Sequence, residues 1–546
     1  MQKERLERKK MNKAKLYIAL SMMAATVEFT SCDSYLDKLP DNRMELSSPD
    51  DVSKLLVSAY SETSPVYLLE MYSDNTNEYN NTAWTAMNRF QDQAYAWKDI
   101  TETDNESIKN IWDSYYSAVR TCNEAIGFIE KQADQSQYKA QLGEALVARA
   151  YAEFVLSTVF CRAYNPQTAA TDLGLPYPTE PDYSLLVEYE RGTLAELYDK
   201  IDKDLQRGMP LLSNTYDHPK FHFTPAAANA FAARFYLFYQ KYDEAIKCAN
   251  VVLGTQPKTK LRDWATWNAL SPNYQVQPNA YVSTGNSANL LLQVTYSYWG
   301  AIGGPYSVGK KYAHGSRIST TETLESTGPW GKSDTKAGYT LFKNNDLANI
   351  CLRKIPMMQE FNADHTAYYP HTEFSVFNTD ETLLVRAEAY ALKGDYVNAL
   401  ADVNTELSKF MPSATALTID GIKEFYNGRI NAAGKPVGGL DYYTPEDPTI
   451  RHELHPMGFT LESDTQEPMI QTILQLRRLV TMHEGLRMQD VKRYGMTIYR
   501  IRLNKSNELE AITDTMDADD PRSAIQLPTE VLSAGMQANP RNTTTK

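Results

Sequence analysis

The chain has 546 residues, of which 42% are apolar and 23% are charged, a composition that excludes a disordered or fibrous protein. The net charge of −13 argues against nucleic acid or anionic lipid as a ligand, because both require clustered Lys and Arg. Tyr is unusually frequent, with 36 Tyr against 17 Phe. Because each buried Tyr hydroxyl needs a partner, the excess indicates half-exposed rings that suit a polar ligand with flat apolar faces.

The N-terminus has the pattern of an export signal. Four lysines between residues 9 and 15 precede the apolar run 16–27, which is too short to span a bilayer but has the length of a signal-peptide core. The following Phe29-Thr30-Ser31-Cys32 resembles the lipobox of bacterial lipoproteins, although Phe29 stands where an aliphatic residue is usual. We therefore expect residues 1–31 to be removed and Cys32 to be acylated, so that a lipid anchor alone holds the protein to the membrane.

Helical periodicity is strong in several blocks. Leu142, Ala145, Ala148 and Val155 recur on one face of a predicted helix, where the small alanines allow close approach of a neighbour. Thr224-Pro225 is typical of an N-cap followed by a first-turn proline. Helices are also predicted at residues 107–132 and 191–208.

An internal repeat indicates how these helices are organised. Residues 233–246 and 387–400 match at a constant offset of 154, with an Ala-containing second helix after a tight turn. This pattern resembles a tetratricopeptide hairpin, and residues 112–130, with Tyr116 and Ala125, are a candidate third unit. The matched pairs are Tyr236 with Tyr390, Tyr242 with Tyr396, Ala245 with Ala399, and Asn250 with Asn404.

Two long stretches interrupt the helical pattern. Residues 254–379 and 412–469 are rich in Gly, Asn, Ser, Thr and Tyr, and both are far longer than ordinary connections. Because long insertions on a rigid scaffold usually carry function, we expect these irregular insertions to form the binding surface.

These features together resemble the SusD/RagB family of outer-membrane nutrient-binding lipoproteins of Bacteroidetes. Two departures are Tyr494, where the family signature usually has Trp, and the absence of the usual Gly-Tyr ending after Pro540. The segments that carry the resemblance are Cys32–Pro40, Trp112–Asn123, Ala145–Phe154, Leu384–Tyr390, His483–Gly495 and Ile525–Glu530.

The resemblance implies a mostly α, tetratricopeptide-like scaffold with long irregular insertions, forming one domain over residues 32–546. Its helical repeats are expected around residues 107–253 and 380–411. The implied ligand is an oligosaccharide or polysaccharide, with peptides as the alternative found in one branch of the family. The implied partner is a SusC-like TonB-dependent outer-membrane transporter, to which the captured nutrient is passed at the cell surface.

Sugar binding requires aromatic faces bordered by amides and carboxylates, and three segments provide this combination. The first runs from Asp74 to Trp84, the second from Tyr296 to Tyr306, and the third surrounds Trp330. The alternative for each ring is that it anchors a long loop to the helical body. The predicted glycan-binding residues are Asp74, Asn75, Tyr79, Asn80, Trp84, Tyr298, Trp299, Tyr306 and Trp330.

Other aromatic and cysteine residues are expected in the core. Trp112 lies in a predicted helix and Trp97 precedes it, and Trp264 and Trp267 also fit packing roles. The cysteines after Cys32 lack metal-ligand spacing and are interpreted as small buried hydrophobes, with a single disulfide left open. They are Cys122, Cys161, Cys248 and Cys351.

Motifs for catalysis and cofactors are weak or missing. His452-Glu-Leu-His455 lacks the i, i+4 spacing that places two zinc ligands on one helical face. No P-loop, Rossmann or G-x-S-x-G motif occurs, and Asp519-Asp520 fits a solvated turn. Arg487 and Asp490 are predicted to form a structural ion pair. The sequence thus predicts a binding protein without cofactor or metal, with a surface glycosidase or peptidase as the rival class.

Overall fold

The computed structural model describes residues 46–80, 89–103, 106–181, 190–271, 273, 275–300, 311–344, 349–356, 358–361, 364 and 368–541. Contacts divide the chain into two units, residues 1–51 and residues 52–546. In the first unit, the Ser47 and Ser48 hydroxyls donate hydrogen bonds to the Asp51 carboxylate. The predicted lipidation site, Cys32, lies outside the described residues.

Helices dominate the described residues, as the sequence predicts for a mostly α fold. They are α1 Pro49–Leu56, α2 Val66–Tyr72, α3 Arg89–Tyr95, α4 Ile108–Glu130, α5 Lys139–Phe160, α6 Leu194–Gly208, α7 Pro225–Phe238, α8 Tyr242–Leu253, α9 Trp264–Asn268, α10 Val276–Tyr281, α11 Ser316–Thr321, α12 Ser333–Lys336, α13 Thr379–Leu392, α14 Tyr396–Phe410, α15 Ile419–Asn427, α16 Gln466–Val480, α17 Arg487–Tyr494 and α18 Thr529–Ser533. None of these is long and apolar enough to cross a bilayer.

The strands are short and form small sheets. They are β1 Asn77–Tyr79, β2 Asn289–Tyr296, β3 Tyr312–Ala313, β4 Thr327–Gly328, β5 Gly331–Lys332, β6 Phe342–Asn344, β7 Asn349–Cys351, β8 Met358–Phe361, β9 Tyr368–Asn378, β10 Arg429–Ile430, β11 Pro436–Val437, β12 Ile498–Leu503 and β13 Leu509–Met516. The largest sheet has the order β13-β12-β1-β3, and a second has the order β2-β9-β8. The remaining pairs are β4-β5, β6-β7 and β10-β11.

The predicted helical repeats are confirmed as helix pairs. The Thr224 side chain accepts a hydrogen bond from the Ala227 backbone N–H, so it caps α7 as expected. Helices α7 and α8 pack together, as do α13 and α14, and α8 packs on α13. Ala245 and Ala399, the matched alanines of the second helices, are fully buried at these contacts. Small side chains at equivalent positions therefore allow both hairpins to close.

The turns inside the two hairpins also correspond. Gln240 and Gly394, which are 154 residues apart, both adopt positive φ, at 61° and 78°. This conformation costs little for glycine but is uncommon for glutamine. The Gln240 side chain donates hydrogen bonds to the Tyr164 and Met457 carbonyls, which hold the turn in place.

Two buried arginines make equivalent ion pairs and hydrogen bonds, which shows that the repeat extends to the first long helices, α4 and α5. Arg149 of α5 forms a bidentate ion pair with Asp204 of α6 at 2.7 and 2.8 Å and donates to Asn123 of α4. Arg386 of α13 makes the same contacts with Asp402 of α14, at 2.7 and 2.8 Å, and with Asn250 of α8. Each arginine thus connects the next helix in the chain to an earlier helix, α6 to α4 for Arg149 and α14 to α8 for Arg386. The shared geometry supports the third repeat unit proposed at residues 112–130.

Helix α5 is the centre of the helical core. From Leu142 to Phe160 every residue is buried, which is the pattern of a helix surrounded on all sides. The four described cysteines are free and buried, as expected for small hydrophobes. Trp97, Trp264 and Trp267 are also buried, in agreement with their predicted core positions.

One buried carboxyl in α5 makes no hydrogen bond to a described residue. Glu153 is fully buried, and burial raises the pKa of its carboxyl well above the usual range. A carboxyl whose pKa is raised by folding favours the folded state most when it is protonated, below its unfolded pKa of about 4.3. Its contribution to the free energy of unfolding falls as the pH rises above that value. Glu153 therefore costs stability at neutral pH.

Replacement of Glu153 by Gln is expected to raise the free energy of unfolding by at least about 1 kcal/mol at pH 7.5, because each pKa unit is worth about 1.4 kcal/mol. The gain should disappear at pH 4, where the unfolded carboxyl is also largely neutral. Urea unfolding at the two pH values measures both effects. Glu124→Gln in α4 is the control, and an equal gain from it, or no change in Glu153→Gln, would contradict this account.

The first insertion is more regular than expected. Within residues 254–379, strands β2 and β9 pair antiparallel along most of their length. Leu290 and Leu292 of β2 are buried, whereas Val294 and Tyr296 are exposed. Strand β2 is therefore buried at its beginning and exposed at its end. Composition, which does not resolve the two ends, indicated an irregular chain instead of a strand.

Candidate functional site

A large open groove runs beside the N-terminal half of α4. Its volume is about 1060 Å³, at the upper limit of typical small-molecule pockets. The walls come from α4, from residues 57–63, from residues 221–222 and from strand β2. We call this cavity the main groove. The side chains that it exposes include Glu62, Asp113, Ser117, Arg120, Val294 and Tyr296.

An exposed aromatic surface continues from the main groove onto the second sheet. Tyr296 of β2 lies directly opposite His371 of β9, with ring centroids 4.3 Å apart, and Val294 lies opposite Glu373. Tyr369 precedes His371 by two residues and therefore shares its face of the strand. Tyr369, Val294 and Tyr296 are 53%, 46% and 36% exposed. We call these five residues the sheet face.

The sheet face combines apolar rings with groups that can form hydrogen bonds. Burial raises the pKa of the Glu373 carboxyl to about 7, so that this group can donate or accept a hydrogen bond near neutral pH. Tyr296 and Val294 belong to both the sheet face and the main groove, which makes the two surfaces continuous. Such a surface suits an elongated polar ligand with apolar faces.

A buried carboxylate orients the polar groups at one end of the groove. Glu144 accepts a hydrogen bond from the Tyr60 hydroxyl at 2.7 Å, and its carboxylate lies 2.7 Å from Nδ1 of His222. The Tyr216 ring stacks on the imidazole at a centroid distance of 4.4 Å. Burial and the neighbouring Glu144 raise the pKa of Tyr60 well above its usual value, so its hydroxyl stays protonated. The imidazole is therefore held in one orientation at the groove.

The predicted residues of the second and third segments are largely buried. Trp299 is 6% exposed, stacks on Tyr67 at 4.8 Å, and donates a hydrogen bond from Nε1 to the His483 carbonyl at 3.0 Å. Trp330 is 4% exposed, and its Nε1 donates to the Ser333 hydroxyl. In this conformation neither indole offers a free face to a ligand. Tyr298 is half-buried, and Tyr306 lies outside the described residues.

The predicted residues of the first segment lie apart from the main groove. Asn75 and Tyr79 are buried, and Tyr79 belongs to strand β1 rather than to a loop. Asn80 is exposed, and its amide donates to the Glu510 carboxylate at 2.7 and 2.9 Å. Trp84 lies outside the described residues. The ligand-binding roles of these residues stay predictions.

Asp74 is the centre of a buried charge cluster. Its carboxylate accepts two hydrogen bonds from Arg487, at 2.7 and 2.8 Å, and lies 3.5 Å from Arg478. Although burial alone would raise it, the two guanidiniums hold the pKa of Asp74 well below its usual range. The ion pair predicted between Arg487 and Asp490 is therefore wrong. Asp490 instead pairs with Arg493 at 2.8 Å.

The same cluster is the one group of described residues with metal-ligand spacing. Ligand atoms of Asp74, Glu322 and His452 lie within 4.8 Å of one another. Burial raises the pKa of Glu322 to about 7 and lowers that of His452 to about 3. Arg478 and Arg487 already supply the positive charge that a cation would supply, so the donor set fits an ion-pair network better than a metal site. His455, the other histidine of this sequence motif, is exposed outside the cluster.

The C-terminal signature forms a second buried network. Glu388 of α13 accepts hydrogen bonds from Arg493 at 2.7 and 3.2 Å and from the Tyr494 hydroxyl at 2.7 Å. The Tyr that departs from the family's usual Trp thus donates a hydrogen bond to this carboxylate. Both networks connect α17 to residues that are distant in the sequence. The side chains of these networks do not line the main groove.

The sequence did not single out the residues that form the sheet face. Tyr296 begins the second candidate segment, but Tyr369 and His371 lie more than 70 positions later. Only the antiparallel register of β2 and β9 brings these rings together. The alternation of polar and apolar residues over 293–296 was the signal available in the sequence.

Comparisons with known proteins agree with this architecture. Residues 34–237 match a SusD-like family model described as "Starch-binding associating with outer membrane". A search of curated proteins finds no match.

Several solved structures share the fold. A SusD superfamily protein from Bacteroides thetaiotaomicron is 19% identical, with a TM-score of 0.59, and the match covers 91% of this chain and 100% of that one. A protein from Bacteroides vulgatus that carries the description "Putative sugar binding protein" is 18% identical, with a TM-score of 0.59 and coverage of 91% and 99%. A laminarin-binding SusD-like protein is 16% identical, with a TM-score of 0.52 and coverage of 91% and 100%. Residues 34–237 are thus similar to the SusD-like family, and the chain has the fold of these solved structures.

Proposed function

We propose that this protein captures an oligosaccharide or polysaccharide at the cell surface, with the main groove and the sheet face as its binding surface. The observation that carries the proposal is the exposed ring of Tyr296, which lines a groove with carboxylate, hydroxyl and guanidinium groups and shares the sheet face with exposed Tyr369. Apolar rings exposed on one continuous surface are typical of binding sites.

The chemistry of this surface matches a sugar chain. The faces of a pyranose ring carry C–H groups that pack on aromatic rings, while its hydroxyls need donors and acceptors at the edges. Tyr296 supplies a ring, and Glu62, Asp113 and Arg120 supply exposed polar groups along the groove. The description of the family model and the laminarin-binding relative favour the same ligand class.

We further propose that the protein binds its ligand without cleaving it and passes it to a SusC-like TonB-dependent transporter in the outer membrane. Support for the location comes from the lipobox-like segment at Cys32 and from the family description, which names the outer membrane. The acidic net charge of −13 leaves the lipid anchor as the proposed attachment to the membrane.

Tyr296→Ala is expected to weaken binding of laminarin or soluble starch about 10- to 100-fold, because loss of a ring contact is worth about 1.5–3 kcal/mol. Tyr296→Phe should bind nearly as well as the unmodified protein, since it keeps the apolar face. Isothermal titration calorimetry with both glucans measures the affinities, and a reducing-end assay on the same samples should detect no cleavage.

Tyr442→Ala is the matched control, because Tyr442 is 44% exposed and lies in the second insertion, outside the walls of the main groove. Full loss of binding in Tyr442→Ala with none in Tyr296→Ala would place the site in the second insertion and overturn the assignment. Binding of peptide mixtures but of neither glucan would replace the ligand class by peptides.

A further inference from the structure

A second cavity adjoins the main groove along the same helix. Its volume is about 780 Å³, and it lies against α4, residues 176–180, residues 190–191 and the chain around α18. Trp112, Tyr116 and Arg120 line both cavities. The two spaces therefore meet along one face of α4.

The shared residues form a stripe along the helix. They are spaced at i, i+4 and i+8, which places them on one helical face over about 12 Å, at 1.5 Å per residue. Trp112 is 8% exposed and Tyr116 is half-buried, so the stripe forms a low, largely aromatic floor. Arg120 is exposed at the end of this floor, where its guanidinium can reach a ligand in either cavity.

Hydrogen bonds hold the walls of the second cavity in place. The Tyr116 hydroxyl donates to the Pro176 carbonyl at 2.9 Å, and the Asn123 amide donates to the Pro178 carbonyl at 3.0 Å. Arg191 donates to the Gly174 carbonyl at 2.7 Å and to the Gln537 carbonyl at 3.0 Å, which ties the chain beyond α18 to the opposite wall. The cavity is therefore preformed, and a ligand need not order it.

We propose that the carbohydrate ligand is a long chain that occupies both cavities, passing over Trp112, Tyr116 and Arg120. This inference rests on the proposed function and adds that the protein selects polymers by length. The main groove alone already reaches the size of a complete small-molecule site, and the adjoining cavity provides further contact only to a ligand that extends past Arg120. A short oligosaccharide gains nothing from the second cavity.

The test is affinity as a function of chain length. Calorimetry with laminari- and malto-oligosaccharides of increasing length should show affinity that keeps rising beyond the fragment at which Tyr296→Ala has its full effect. Ala534→Trp should block the second cavity, because Ala534 is exposed on its wall. We expect this variant to bind the longest chains at least tenfold more weakly and the short fragments unchanged.

Ser533→Trp is the matched control, since Ser533 is exposed one residue earlier but does not line the cavity. Unchanged short-fragment binding shows that Ala534→Trp is folded. An affinity plateau at short length, or equal effects of the two Trp variants on long chains, would overturn the length inference and leave the proposed function intact. Absence of binding by the unmodified protein, or binding insensitive to Tyr296→Ala, would instead overturn the proposed function.

Discussion

Replacement of Arg477 by Met is expected to lower the free energy of unfolding by about 3–5 kcal/mol. Arg477 lies in α16 with a fully buried side chain, and its guanidinium lies 3.4 Å from Glu381, 3.5 Å from Glu388 and 3.3 Å from Asp490. These carboxylates are themselves nearly inaccessible to water. Met fills most of the volume but leaves the negative charges with fewer positive neighbours in a medium of low polarity.

Urea unfolding at pH 7.5 measures this loss. Arg207→Met is the control, because Arg207 and Glu130 form an ion pair of 2.6 Å between side chains that are 48% and 46% exposed. Exposed pairs contribute about 0–1 kcal/mol, so this variant should unfold almost like the unmodified protein. Similar small losses in both variants would show that the buried network does not stabilise the fold.

Asp74→Asn is expected to lower the free energy of unfolding by about 3 kcal/mol at neutral pH, since it removes the charge that neutralises Arg487 and Arg478. The substitution keeps the size of the side chain, so packing changes little. Because folding lowers the pKa of Asp74, its contribution is fully present above the unfolded pKa of about 3.9 and is lost as the pH falls through the folded value. The difference between the two proteins should therefore fall as the pH is lowered from about 4.5 to 3, where the carboxyl becomes protonated in the unfolded chain but not in the folded one.

Urea unfolding across this pH range provides the measurement. Asp199→Ala is the control, because Asp199 is 54% exposed and pairs with Lys203 one helical turn later, an interaction worth about 0.3–0.5 kcal/mol. A difference for Asp74→Asn that stays unchanged as the pH is lowered from about 4.5 to 3 would mean that the folded carboxyl titrates near its usual pKa. The two guanidiniums would then not lower the pKa of Asp74.

Local signals were sufficient to locate the helical scaffold. The Thr224-Pro225 cap, the alanine stripe of α5 and the 154-residue offset depend only on neighbours within a few turns, and each corresponds to an observed helix. Even the turn at Gln240 and Gly394 follows the repeat. The SusD-like resemblance likewise depended on short segments in a fixed order, and the family match begins within the first of them.

The orientation of aromatic rings and the choice of ion-pair partners required the tertiary structure. Whether an indole is exposed depends on which segments cover it, and for Trp299 the covering residues, Tyr67 and His483, come from opposite ends of the chain. Arg487 likewise pairs with Asp74, 413 residues away, rather than with Asp490 on its own helix. Burial and charge pairing are decided by contacts between segments that are remote in sequence. Composition therefore indicated that rings would face a ligand, but only the packing of β2 on β9 placed Tyr296 at the groove.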